Sequence, residues 1–386
     1  MRDTNQVLSG YGTTIFEVMS RLAVEEGAVN LGQGFPDGQG PDDVRERAKS
    51  AISSISNQYP PMRGLVSLRT AVAEHGKRFY GLEIDPAKEV LVTSGATEAL
   101  AVSLLGLLNP GDEVLVLDPA YDSYRPIIEL AGAVPVGIPL LPPNWRLDKS
   151  TLQSAITAKT KLIVFNSPMN PTGRVFSADE LSMLAEVLIE ANMYAICDEV
   201  YEHLVFDGKT HTPLMSLPGM KERTLRIGSA GKTFSLTGWK VGYITGNASL
   251  IDAASRAHQF VTFTTPPNLQ EAVAFGLSKP DEYFSSLAGD LQKRRDLLRD
   301  ALVSLGMEVA VCEGTYFLCA NYAPLGVDEI DIEFCKKLTK EAKVATIPCS
   351  VFYPGEAPQT WLRFALCKEE RTLLAAIKRL KKYFGR

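Results

Sequence analysis

From about residue 89 the chain alternates short, apolar, β-branched runs with longer stretches of helical periodicity. The short runs fall at 89–93, 113–117, 161–165, 194–197, 224–227 and 241–245. Such alternation predicts an α/β domain around a largely parallel sheet. Residues 280–305 are charged and helix-favouring, carry no proline after the first position and stop at Gly306. They predict one long helix leading to a second domain. Beyond it, short strands such as 315–320 mix with amphipathic helices, and the basic, periodic stretch 373–384 reads as a solvated helix face. No internal repeat or low-complexity tract interrupts the pattern.

With 386 residues, 45% of them hydrophobic and 22% charged, the chain can bury a large core and form about two domains. A net charge of −5 without a polybasic run excludes a field suited to nucleic acid. The six cysteines form no C-x-x-C pair, and the four histidines show no metal-ligand spacing with them, so no metal is expected. This usage predicts a reducing, cytoplasmic setting. No apolar run of about 18 residues predicts a membrane span, and the N-terminal residues lack the apolar core of a secretion signal.

The candidate chemistry lies just past the carboxyl ends of the predicted strands, where open α/β sheets bind ligands. Lys232 follows one of them within SAGKTFSLTGWKVGY (229–243), on an expected loop among the small and hydroxyl residues Ser229, Ala230, Gly231 and Thr233. Gly231-Lys232-Thr233 matches the end of a nucleotide-binding P-loop, but Arg226 stands where that motif needs its first glycine. Asp198 ends another apolar run, and a carboxylate there needs a cationic partner. A Schiff-base lysine and an acid that holds a protonated pyridine are what pyridoxal phosphate requires. SGATEAL (94–100) predicts a strand, a tight turn and a helix starting near Thr97, a place suited to a phosphate. NSPMNPTG (166–173) reads first as a turn, yet the amide of Asn170 can donate to a phenolate oxygen.

Together these segments resemble the class I and II aminotransferases of pyridoxal phosphate fold type I, nearly end to end. The anchors are NLGQGFPDG (30–38), NQYPP (57–61), SGATEAL, DPAYDSY (118–124), NSPMNPTG, DEVY (198–201), SAGKTFSLTGWK (229–240) and LRFALCK (362–368). The GQGFPD, GWK and EGTYFL spellings are similar to kynurenine aminotransferases and bacterial methionine aminotransferases. The resemblance implies a seven-stranded, mainly parallel sheet flanked by helices, plus a smaller α+β domain. Its expected divisions are an arm with part of the small domain at 1–37, the large cofactor domain at 38–283 and the small domain at 284–386.

Carried onto this chain, the resemblance implies that Lys232 bonds the cofactor, Asp198 pairs with its ring nitrogen, Asn170 and Tyr201 hold its ring oxygen, and Tyr121 stacks on its face. Ala96, Thr97, Ser229 and Lys240 would hold the phosphate, with Tyr59 from the partner of a homodimer. Lys240 stands where the family usually has arginine, so the fork geometry is lost. Substrate would meet Arg363, Asn170 and the Gly34 backbone, with Phe35 and the partner's Phe263 around its side chain. The implied reaction moves an amino group from an amino acid to a 2-oxo acid. Methionine, aromatic amino acids, kynurenine and glutamine rank above aspartate, and a cysteine-conjugate β-lyase or an aspartate-type enzyme remains open on the same residues.

Overall fold

The apolar runs become strands of two main sheets in the computed structural model, which describes residues 4–385. Residues 1–3 of the expected arm and Arg386 of the expected small domain lie outside the described residues. After a two-residue strand β1 (Val29–Asn30) come β2 (Val90–Thr93), β3 (Glu113–Asp118), β4 (Val134–Pro139), β5 (Thr160–Asn166), β6 (Tyr194–Asp198), β7 (Thr224–Ser229) and β8 (Gly242–Gly246). The last seven form one sheet in the order β2-β8-β7-β6-β5-β3-β4. β8 alone runs opposite to the other six.

Alternation along these strands explains why they read as unbroken apolar runs. Val114, Val116, Leu162, Val164 and Ile196 pack with Leu100 and Leu104 of the helix Gly95–Leu107. Their neighbours Leu115, Leu117, Ile163, Phe165 and Cys197 pack with Leu181, Leu184 and Leu188 of the helix Ala178–Glu190. Successive side chains point to opposite faces, and both faces are covered, so the middles of β3, β5 and β6 are apolar on both sides.

The helix Asp281–Ser304 leads into the rest of the chain. There, β9 (Glu308–Val309), β10 (Phe317–Asn321), β11 (Val344–Ala345), β12 (Ile347–Pro348) and β13 (Trp361–Ala365) are arranged as an antiparallel sheet β12-β13-β10-β9 and a parallel pair β1-β11. The β1-β11 pair ties the segment before the large sheet to the segment after it. The final helix, Glu370–Tyr383, buries Leu373, Ala376, Ile377 and Leu380 and leaves its basic face outside.

Three expectations change in detail. Strand β4 was not anticipated, because Pro135, Gly137 and Pro139 oppose a strand assignment. It is an edge strand, and a Cβ at Gly137 would stand 2.5 Å from Asp118 Oδ2, so the glycine leaves room for the Asp118–Arg125 ion pair. The helix of SGATEAL starts at Gly95 rather than near Thr97. The expected strand 315–320 begins only at Phe317: the φ of Thr315 is 73°, and its hydroxyl accepts from the Phe317 N–H at 3.1 Å before β10 begins. Among the described residues no helix is long and apolar enough to cross a membrane.

Candidate active site

Strands β5, β6 and β7 end side by side, and their last residues open into a cavity of about 540 Å³ closed on the far side by β10 and β13. Every residue singled out above lines it except Tyr59 and Phe263. Those two meet each other instead, ring centroids 5.5 Å apart and edge to face, with Tyr59 83% exposed. Neither lines the cavity of its own chain.

Lys232 lies on a helical turn, Ala230–Thr233, rather than on the expected loop. Its Nζ donates to the Gly34 carbonyl at 3.4 Å and lies 5.5 Å and 5.4 Å from the ring centroids of Tyr201 and Tyr316. Tyr316 donates to the Lys232 carbonyl at 2.8 Å and so braces the turn. Burial lowers the Lys232 amine below the usual lysine value, while Cys367 and Asp198 oppose the shift. An amine held in this way is a better nucleophile and base near neutral pH.

Asp198 is buried, and its Oδ2 accepts a 2.6 Å hydrogen bond from Tyr124, a residue the sequence reading left without a role. Its Oδ1 is buried with no partner. Burial pushes this carboxyl above the ordinary aspartate value; Tyr124, the Val200 N–H and Lys232 pull it back. Asn166, also unassigned from sequence, donates to the Asp198 carbonyl at 2.7 Å and accepts from the Asn170 N–H at 2.8 Å. One amide thus fixes the ends of two neighbouring strands relative to each other.

Arg363 on β13 is fully enclosed and keeps its charge without an acidic side chain in contact. Nη1 donates to Asn170 Oδ1 at 2.9 Å, Nη2 to the Gly32 carbonyl at 2.7 Å, and Nε has no partner. The guanidinium lies 3.9 Å from the Phe317 ring centroid, with Phe16 and Phe352 further out. Burial lowers its pKa, and Tyr201 leads the opposing groups. Asp122 lines the same cavity; burial raises its carboxyl and Arg363 counters that shift.

At the opposite end, the helix Gly95–Leu107 begins without a side-chain cap from Ser94. The Lys240 Nζ stands 3.5 Å from Thr97 Oγ1, and Ser229 and Ala96 line the same corner. Helix N–H groups, a hydroxyl and an ammonium suit a phosphate. Tyr121 lies between the two ends, edge to face with Tyr124 at 5.7 Å, and burial raises its phenol.

This donor set fits pyridoxal phosphate. The orphaned Asp198 Oδ1 calls for a cation, as a protonated pyridine is. Asn170 has committed its carbonyl oxygen to Arg363, which leaves its NH₂ to donate to a ring oxygen. The corner at Thr97 and Lys240 suits the phosphate, and the Lys232 amine is the group that would bond the cofactor.

Comparisons agree with the geometry. A family model described as aminotransferase class I and II matches residues 26–380. Methionine aminotransferase of Escherichia coli is 39% identical, over 96% of both chains. Kynurenine–oxoglutarate transaminase of Dictyostelium discoideum is 36% identical, over 97% of this chain and 95% of that one. The solved structure of N-succinyldiaminopimelate aminotransferase from Mycobacterium tuberculosis superposes with a TM-score of 0.96 at 46% identity, covering 99% of this chain and 100% of that one. An amine, a buried acid and a guanidinium around one cavity, on a sheet of this order and with a match of this length, place the chain in the class I and II aminotransferases, enzymes that depend on pyridoxal 5′-phosphate.

Proposed function

We propose that this aminotransferase takes the α-amino group from an apolar, aromatic or sulfur-containing amino acid, of the methionine, phenylalanine, kynurenine or glutamine type, and passes it to a 2-oxo acid in a ping-pong cycle. The observation that carries this reading is the charge inventory of the cavity. Among the described residues lining it, the cations are Lys232, Lys240 and Arg363. With Lys232 on the cofactor, Lys240 on the phosphate and Arg363 on the α-carboxylate, no cation among the described residues lining the cavity remains for a distal carboxylate. Phe16, Phe35 and Phe317 present apolar walls instead.

Bound pyridoxal phosphate supplies the carbonyl that exchanges amino groups and a ring that withdraws electron density from the reacting carbon. The protein's part follows from its own residues. Arg363, held from behind by Asn170 and Gly32, presents its remaining N–H groups to the substrate's α-carboxylate and orients the Cα–H bond. Lys232 Nζ, with its lowered pKa, removes the Cα proton and returns it as an ammonium. Asp198, kept in place by Tyr124 and Asn166, carries the negative charge that holds a proton on the ring nitrogen. Tyr121 covers a ring face and excludes water from it, and Tyr201 with Asn170 would hold the ring oxygen.

Two further parts of the reading rest on exposure. Tyr59 and Phe263, turned away from their own cavity, serve the site of a second copy in a homodimer. Six free, buried cysteines suit a reducing cytoplasm.

The test is a half-reaction with each donor alone. Purified enzyme loaded with pyridoxal phosphate is mixed with methionine, phenylalanine, aspartate or N-succinyldiaminopimelate, without acceptor, and the visible absorbance and 2-oxo acid are measured. Faster bleaching with one equivalent of 2-oxo acid from methionine or phenylalanine supports the reading. Faster turnover of aspartate or N-succinyldiaminopimelate overturns the substrate assignment, and pyruvate with ammonia from a cysteine conjugate as the main activity would favour a β-lyase.

A further inference from the structure

Lys368 is 3% exposed and lies outside the machinery described above, three residues past the end of β13 and before the final helix. An ammonium carries three N–H donors and is costly to bury, so its surroundings show what it is for. Its Nζ donates to the Phe35 carbonyl at 2.7 Å, sits 3.4 Å from Asp37 Oδ1, and lies 4.1 Å from the centroid of the Phe35 ring. All three contacts are to one short segment, and two of them are to one residue.

That segment is the wall of the cavity. The Gly32 carbonyl accepts from Arg363, the Gly34 carbonyl accepts from Lys232, and Phe35 lines the cavity while staying 46% exposed at its mouth. Gly34 is confined from behind, since a Cβ there would stand 2.2 Å from the Phe317 ring. The far side of Phe35 is closed by Asp37, whose Oδ2 accepts from the Glu369 N–H at 3.1 Å and the Thr372 hydroxyl at 2.9 Å. Burial works to raise the Asp37 carboxyl, but these two donors and Lys368 outweigh it and hold it below the usual range. An exposed phenylalanine on a glycine-rich stretch would sample several rotamers. The Lys368 cation on its ring face and the bond to its own carbonyl remove that freedom.

We propose that Lys368 is a specificity-determining positioning residue: it latches Phe35 as a fixed apolar lid over the substrate's side chain. The inference rests on the apolar-donor reading above. It makes a distinction that a bracing role in folding does not. Loss of the latch should weaken the use of donors whose side chains reach the lid and spare alanine, whose methyl group does not.

The experiment compares kcat/KM for methionine, phenylalanine and alanine in the pyridoxal-phosphate-loaded enzyme and in Lys368→Met, Lys368→Arg and Asp37→Asn. In Lys368→Met, kcat/KM for methionine and phenylalanine is expected to fall about tenfold, the worth of one apolar pocket contact, with alanine changed less than about twofold. Asp37→Asn should show the same split in smaller measure, and Lys368→Arg, which keeps the cation and a donor, should recover part of the loss. A parallel fall for all three donors, or no change in any, overturns the latch. Should Lys368→Met not fold, the split in Asp37→Asn and Lys368→Arg decides in the same way. A wild-type enzyme that turns over aspartate or N-succinyldiaminopimelate faster than methionine and phenylalanine marks failure of the apolar-donor reading itself, and that is visible before any variant is made.

Discussion

The hydroxyl of Tyr124 donates a 2.6 Å hydrogen bond to Oδ2 of Asp198, across 74 positions of sequence, while Oδ1 of the same carboxylate has no partner. One oxygen is held so that the other is presented. Tyr124 is itself fully enclosed, and burial with the neighbouring Asp198 charge keeps its phenol protonated, so toward that carboxylate it is the donor. Replacing Tyr124 with Phe removes the bond with little change of shape. A hydrogen bond to a charged group is worth about 1.5–3 kcal/mol, so affinity for pyridoxal phosphate is expected to fall about 10- to 100-fold, with slower turnover at saturating cofactor. Equilibrium dialysis of the cofactor checks it; unchanged affinity and turnover would remove Tyr124 from the site.

Gly242 gives a sharper steric prediction. A Cβ there would stand 2.6 Å from the Gly95 carbonyl carbon and 2.9 Å from the Ala96 nitrogen, and backbone at a helix start cannot swing aside. Gly242→Ala is expected to cost more than about 2 kcal/mol and to displace the phosphate corner, weakening cofactor binding with it. Gly289 is the control: it lies within the helix Asp281–Ser304 with open space around its Cβ position. Gly289→Ala should be neutral or stabilising by up to about 1 kcal/mol. Thermal melts of the two variants with and without cofactor test both statements.

The contrast between Lys232 and Tyr124 shows what sequence could reveal. Lys232, Asp198, Asn170 and Arg363 follow apolar runs or sit in short motifs whose composition is unusual for a plain turn or core, so each is conspicuous locally. Six of the seven strands of the large sheet were legible for the same reason, being dense apolar runs, while the count of seven came from the family resemblance. Tyr124 and Asn166 act through bonds to backbone or side chains that only the fold brings near, and nothing beside them in sequence marks a partner. Strand β4 was hidden because Gly137 answers to Asp118, not to its own neighbours. Lys368 looked like one more charge in LRFALCK until the segment 32–37 was seen to run past it.

A buried histidine pair predicts how the fold responds to acid. His75 and His203 place their Nε2 atoms 2.8 Å apart, packed against Phe79 and Phe284. Both lie with Glu202 inside a 4.8 Å cluster, but Arg226 and Tyr243 already occupy the Glu202 carboxylate. Burial pushes His75 down to about 4 and His203 to about 3; Glu202 opposes this, while Arg226 adds to it. Between the ordinary histidine value of 6.5 and these folded values the unfolded chain binds two protons that the folded chain refuses, so stability falls as pH falls through that window. Each histidine contributes a slope of up to about 1.4 kcal/mol per pH unit. Urea midpoints of the loaded enzyme from pH 7 to pH 5 should therefore drop steeply, and His75→Gln with His203→Gln should flatten the drop. Equal slopes in the two proteins would show that the pair is not what acid attacks first.

Arg363 has to serve two substrates in turn, and that shared duty can be tested. Asn170 and Gly32 take one hydrogen bond from each terminal nitrogen, so one hydrogen on each, and that of Nε, remain for an incoming carboxylate. The guanidinium cannot slide, being held against Phe317 at 3.9 Å. In a ping-pong cycle the amino acid and the 2-oxo acid occupy this place at different times, and the group they have in common is the α-carboxylate. Arg363→Lys keeps the charge and loses the fork, along with at least one of the two bonds that aim it. kcat/KM is expected to fall about 10- to 100-fold for donor and acceptor alike, because each loses about the worth of one charged hydrogen bond. Asn170→Ala should lower both as well, and should in addition weaken cofactor binding, since its NH₂ is assigned to the ring. Initial rates measured by varying one substrate at a time separate the two constants. A loss confined to the donor would mean that the acceptor's carboxylate is bound elsewhere, and the single-site cycle would have to be abandoned.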